Sequence, residues 1–182
     1  MSARGAATRE RLLAAALALI PEVGWSAVTT RAVAERAGVR SGLVHYHFPT
    51  VPDLLTAAAL AFCRSFGDTW LTLLDDATDP DDGIARLIAQ LDAHPPDDPA
   101  NRLMAEIYLA APRHPDLRTG LSDLVATLRA RLTDWLRAHG SPDPHARAAL
   151  VLVAVEGIAL HRAIGAAAET DLYIRALTST NT

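Results

Sequence analysis

The chain has no lysine, a single cysteine and no apolar run of membrane-spanning length. The lone cysteine, Cys63, excludes an internal disulfide framework and has no cysteine partner for a zinc site. It reads as a small apolar helix residue and fits a reducing, cytoplasmic setting. The most apolar stretch, 148–160, is broken by Glu156 and followed by His161 and Arg162. It falls short of the roughly 20 apolar residues a bilayer requires, so no membrane partner is expected. The charged N-terminus, with Leu12 to Ile20 belonging to an amphipathic segment, predicts no secretory leader. No alternating strand pattern, nucleophile elbow, phosphate loop, zinc motif or pair of catalytic carboxylates appears. The expectation is therefore a protein that is not an enzyme and needs no cofactor or metal. The alternative is a small helical ligand-binding protein or enzyme whose basic N-terminus is incidental.

What is present is apolar and helix-forming. Half of the 182 residues are hydrophobic, which excludes a disordered chain and allows a real core. Net charge is −4, at first sight a poor match for a nucleic acid. Its distribution reverses that impression. Residues 1–50 hold six arginines against three glutamates, a net +3, which leaves −7 for residues 51–182. A small basic module on an acidic body is the footprint expected of a nucleic-acid binder. That all seventeen basic residues are arginine reads as compositional bias in an alanine-rich chain.

Proline and aspartate punctuate the helices. The first is predicted over Ala6 to Val23, before Gly24 and Trp25. Thr29 is a good N-cap for a short helix ending near Ala37, where Gly38 suits a left-handed closing residue. Thr50 and Asp53 have capping-box spacing, opening a helix from Val51 to Leu74. Asp79-Pro80, Asp98-Pro99 and Asp143-Pro144 each place an N-cap aspartate before a first-turn proline. Another helix should run from Pro115 to Ala138, before Gly140. The total is nine helices, with domains at 1–50 and 51–182. The acidic clusters Asp75–Asp82 and Asp97-Asp98 fall in linkers, where they are solvated.

Helix, short glycine-containing turn, helix is the pattern of a helix-turn-helix. Ala34, Ala37 and Val39 are small enough for the two helices to cross closely. If the second begins at Arg40 or Ser41, Val44 and Phe48 stand four apart and pack inward. Ser41, Gly42 and His45 then face out, with Tyr46 and His47 on the flanks. Histidines at i and i+2 point to different sides of a helix, unlike the i, i+4 spacing of a zinc pair. No carboxylate stands at a spacing that would orient either as a catalytic base. DNA contact is the reading that remains.

Gly24-Trp25, Thr29-Thr30, Val33-Ala34-Glu35-Arg36-Ala37-Gly38-Val39, Gly42, Tyr46-His47-Phe48 and Leu54-Leu55 resemble the N-terminal signature of the TetR family of transcriptional regulators. The resemblance covers about residues 8–60. It implies an all-α homodimer with a three-helix DNA-binding domain for a palindromic operator. A helical bundle for a small-molecule effector and for dimerisation would follow, with repression the family's commoner habit. Carried over by position, Ser41, Gly42, Leu43 and His45 face bases. Tyr46 and His47 touch phosphate, and Thr29, Thr30, Arg31 and Arg40 belong to the same contact surface. Three positions depart from the pattern. Val51 stands where a phosphate-gripping lysine is usual, Leu43 where threonine is common and His45 where tyrosine is common, so the operator cannot be borrowed from a relative.

Beyond residue 60 the larger polar-tipped side chains are Trp70, Tyr108, Trp135, Glu156, His161 and Arg162. Trp70, Met104, Tyr108 and Trp135 are the expected effector-pocket set. Core packing is the competing reading for each. His114 and His139 fall at helix ends and His94 precedes two prolines, as suits caps or exposed positions. The helix from Asp143 to Ala168 is apolar nearly all round, so both of its sides need cover. Leu150, Val151, Val153, Ala154, Ile158 and Arg162, with a final helix from Glu169 to Leu177, form the expected self-complementary interface. Non-specific DNA packaging is disfavoured, because the overall charge is negative.

Overall fold

A computed structural model describes residues 3–93, 95, 98–166 and 169–178, with the side chains of Ala3 and Ala163 outside that description. Among the described residues there are nine α-helices and no strand. They are α1 (Ala3–Val23), α2 (Thr30–Arg36), α3 (Ser41–His47), α4 (Val51–Leu71), α5 (Pro80–Ala89), α6 (Pro99–Ala110), α7 (Pro115–Ala138), α8 (Pro144–Ala163) and α9 (Thr170–Thr178). Short 3-10 turns follow α4, α5 and α6. No helix among the described residues is long and apolar enough to cross a membrane.

The helix ends form for local reasons. The Thr29 hydroxyl accepts from the Ala32 amide at 3.2 Å. The Asp53 carboxylate accepts from both the amide and the hydroxyl of Thr50, while the Thr50 hydroxyl accepts from the Asp53 amide, a reciprocal box. Asp79 accepts from the amides of Asp81 and Asp82, and Asp98 from that of Ala100. Asp143 caps α8 from a left-handed backbone, φ 42°. The helix expected to reach Leu74 stops at Leu71, its last residues tightening into a 3-10 turn. The helix expected to reach Ala168 ends at Ala163. Ala168 lies outside the described residues, as do His94 and Asp97.

The chain divides into two compact units. The first comprises Met1–Cys63 and Arg102–Leu121, the second Arg64–Asn101 and Ser122–Thr182. The core of the first is built by Leu12, Ala16, Leu19 and Ile20 of α1, Val33 and Val44 of α2 and α3, Leu54 and Leu55 of α4, and Ile107 and Leu117. Each apolar side chain fully removed from water contributes about 1.5–3 kcal/mol before entropy is counted.

The second unit packs Trp70 and Leu74 against Ile84, Leu87 and Ile88 of α5, Leu132 and Leu136 of α7, and Val151, Val155 and Ile158 of α8. Gly83 is required there, because a Cβ would lie 2.4 Å from Cη2 of Trp135. Buried polar groups are tied down: Arg162 donates to the Leu91 carbonyl and to Asp92, which also accepts from the Thr170 hydroxyl. Arg147 donates to Ser141, Asp81 and the Leu177 carbonyl.

Candidate nucleic-acid interface

The α2–turn–α3 segment is set by Gly38. Its φ of 63° lets the Val39 amide donate to the Ala34 carbonyl and the Gly38 amide to that of Glu35, closing α2 in the manner of a Schellman motif. Ala34 and Ala37 are buried at the crossing, so α3 leaves at a fixed angle. Val44 and Phe48 anchor α3, being 1% and 5% exposed. Ser41, Gly42, Leu43, His45 and Tyr46 are left facing outward, and Tyr46 is 81% exposed. His47 is half-buried, and its ring meets Tyr46 edge-on at 5.1 Å, so the two rings brace each other. Thr29, Arg31 and Arg40 are exposed and Thr30 is half-buried.

A large tyrosine with no apolar neighbour to cover it and an imidazole beside it form a surface able to donate and accept at base edges and phosphates. Among the described residues no group of three His, Cys, Asp or Glu converges to hold a metal.

Of the basic residues in this segment, Arg36 is committed elsewhere. Its guanidinium makes a two-pronged bond to Glu22, at 2.9 and 2.7 Å, clamping the end of α2 to the end of α1. The Arg36 hydrogen bond holds the Glu22 carboxyl below its ordinary value of 4.5, against desolvation and with help from the cation's charge. A carboxyl whose folded value is depressed stabilises the fold above its unfolded value and ceases to do so as pH falls through the folded one. Glu22→Gln should therefore melt slightly below wild type near neutrality. The gap should close on acidification below 4.5. Thermal melts between about pH 7 and about pH 3 check this, and a gap that widened with acid would contradict it.

A contact that the sequence does not announce comes from α6. Glu106 accepts a hydrogen bond from the Trp25 amide at 3.2 Å, and the Trp25 ring lies 5.5 Å from that of His114. Around them Val23, Gly24, Leu109 and Arg113 line a cleft of about 230 Å³. Glu106 thus holds the turn that links α1 to α2 from a point 81 residues away along the chain. No spacing rule connects positions so distant.

The expected pocket set is distributed differently. Trp70 is a core residue of the second unit, and its indole N–H donates to the Leu87 carbonyl at 2.9 Å. With its polar end satisfied internally, it has nothing to offer a ligand. Trp135 packs beside Gly83 and stacks on His139, whose Nδ1 lies 2.8 Å from the Trp135 carbonyl oxygen. Met104 and Tyr108 belong to the first unit, Met104 half-buried and Tyr108 exposed. A second cleft, about 390 Å³ and lined by Asp92, Glu169, Thr170, Asp171, Leu172 and Arg175, includes none of the four.

The expected interface set also divides. Val151, Ile158 and Arg162 are buried in their own unit's core and offer no surface, which corrects their assignment. Leu150 and Val153 are exposed, Ala154 is half-buried, and Leu160 and Ile164 join the exposed pair.

A basic N-terminal segment that presents α3 on a tight glycine turn defines a helix-turn-helix DNA-binding protein, and comparison supplies the family. Residues 12–58 match the model of bacterial regulatory proteins of the tetR family, and residues 75–180 that of the tetracyclin repressor-like C-terminal domain. The chain belongs to the TetR family of transcriptional regulators, whose members bind DNA and are not enzymes.

A candidate transcriptional regulator from Streptomyces coelicolor A3(2) is 31% identical, with 96% of this chain and 99% of that one covered and a TM-score of 0.76. A transcriptional regulator from Rhodococcus sp. Rha1 is 28% identical, with 94% of each chain covered and a TM-score of 0.73. A candidate regulator from Saccharomonospora viridis, solved in complex with choline, shares the fold at 18% identity and a TM-score of 0.74, with 96% of this chain and 95% of that one covered. Among curated proteins none matches the chain in sequence.

Proposed function

We propose that this TetR-family regulator is a cytoplasmic homodimeric repressor that reads a palindromic operator through α3 and is released by a small-molecule effector. The outward face of α3, with Ser41, Gly42, Leu43, His45 and Tyr46 left uncovered by the fold, carries the operator part of the reading. Leu43 supplies an apolar contact of the kind a thymine methyl accepts, and His45 a ring nitrogen for a base edge. Tyr46, His47 and the α2 N-terminus around Thr29, Thr30, Arg31 and Arg40 position the module on the backbone.

Dimerisation is supported by the exposed stripe on and just beyond α8: Leu150, Val153, Leu160 and Ile164, at alternating helical spacings with Gly157 between. An apolar stripe of that length left in water is a surface for a second copy. Two recognition helices then meet half-sites one helical turn or a multiple of it apart, roughly 34–36 Å.

Effector response is a population shift: the ligand favours a dimer whose α3 pair no longer matches that spacing. The Glu106 hold on Trp25 supports a route for it within the first unit, since a displacement of α6 is passed to the turn between α1 and α2. The choline-bound relative supports the small-molecule part. Selection from a random duplex library with the purified protein tests the proposal. Enrichment of an inverted repeat is the expected result; enrichment of nothing, or of an asymmetric site bound by a monomer, would defeat it.

A further inference from the structure

The corner where α3 ends and α4 begins lacks a cation of its own. Between Arg40 and Arg64 the sequence has no arginine or lysine, and its charged or imidazole side chains are His45, His47 and Asp53 only. Asp53 adds negative charge at the first turn of α4, where its carboxylate is held by Thr50, and α4 opens on an apolar residue, Val51. With these residues alone, the corner would repel the phosphate strand that Tyr46 and His47 otherwise face.

Tertiary structure brings in a charge from elsewhere. Arg9 of α1 lies over the ring of Phe48, its Cζ 5.1 Å from the centroid. Phe48 is the C-cap of α3, next to His47 and two residues before Thr50. The ring is 5% exposed, so Arg9 lies over an anchored surface. A guanidinium stacked through its face uses the ring's quadrupole for position and keeps its N–H donors in its own plane, directed past the ring edge. Among the described residues no hydrogen bond or ion pair occupies those donors. Arg36, by contrast, is spent on Glu22. Arg31 and Arg40 stand at the N-terminal ends of α2 and α3, away from Phe48 at the C-terminal end of α3.

We propose that Arg9, held against Phe48, grips a DNA backbone phosphate at the α3–α4 corner and so supplies the fixed positive charge that Val51 does not. A lysine at position 9 would keep the charge but lack the planar face that locks it and the forked donors that match a phosphate. The inference rests on the reading that α3 enters the groove.

Binding of full-length wild type, Arg9→Gln and Arg9→Lys to a random-sequence duplex and to the enriched palindrome, measured across a series of salt concentrations, tests it. Arg9→Gln should flatten the slope of log K against log salt by about 1 per half-site, about 2 for a dimer. It should weaken both duplexes by about the same factor, because a phosphate contact carries no base preference. Arg9→Lys should keep most of the slope. An unchanged slope in Arg9→Gln, whether or not affinity falls with melting temperature, would overturn the proposal and leave Arg9 as a cover for Phe48. If wild type bound neither duplex, the reading of α3 itself would fall, a result distinguishable from the first because it precedes any variant.

Discussion

Operator binding by a His45→Ala dimer is expected to fall between about 30-fold and about 10⁴-fold, with little change on random DNA. That range follows from geometry and symmetry. His45 is exposed on the outward face of α3, one residue past Val44, whose burial fixes the helix rotation. Removing a base-edge hydrogen bond from one half-site costs about 1–3 kcal/mol, and a two-fold operator suffers the change twice, for about 2–6 kcal/mol. Because alanine removes no fixed charge, the salt slope should stay that of wild type. Titrations of the enriched palindrome and of a scrambled duplex separate the two effects. Equal weakening on both would move His45 from the base edges to the backbone. This signature is the reverse of that expected for Arg9, so the two variants check each other.

Trp70→Ala should strongly destabilise the second unit. Trp70 is 4% exposed among Leu74, Leu87 and Ile158, and its N–H bond to the Leu87 carbonyl would disappear together with the ring. Removing a buried tryptophan costs about 3–5 kcal/mol, a large part of a typical domain's stability. For a chain of this size that lowers the melting temperature by roughly 6–20 °C. Trp70→Phe keeps most of the apolar volume and gives up mainly the hydrogen bond, so it should cost about 1–2 kcal/mol. If Trp70→Ala melted like wild type, the indole would be a ligand wall after all. Calorimetry without effector decides between them.

Much of this fold was legible because its signals are local. Thr29, Gly38, the Thr50 and Asp53 pair, and Asp79 act on amides within a few residues, so their types and spacing foretell the helix ends they form. The same holds for α3. Once Val44 and Phe48 are taken as anchors, helical periodicity alone directs Ser41, Gly42, Leu43, His45 and Tyr46 outward. The α8 helix shows where such reasoning fails. Apolar residues nearly all round it signalled that two sides need cover, yet periodicity could not say which side faces its own core. Val151, Ile158 and Arg162 turned inward and Leu150, Val153 and Leu160 outward.

Composition, capping chemistry and the spacing of residues 24–55 by themselves determined an all-helical chain with a helix-turn-helix at its start, since each depends on interactions between near neighbours. Only tertiary structure decided that residues 102–121 complete the first unit, that Glu106 holds the Trp25 amide, that Arg9 rests on Phe48, and that Trp70 is core. These pairings join residues 17 to 81 positions apart in the chain. They arise because burying the apolar faces of several helices at once selects one arrangement, and that choice belongs to the whole chain rather than to any segment of it.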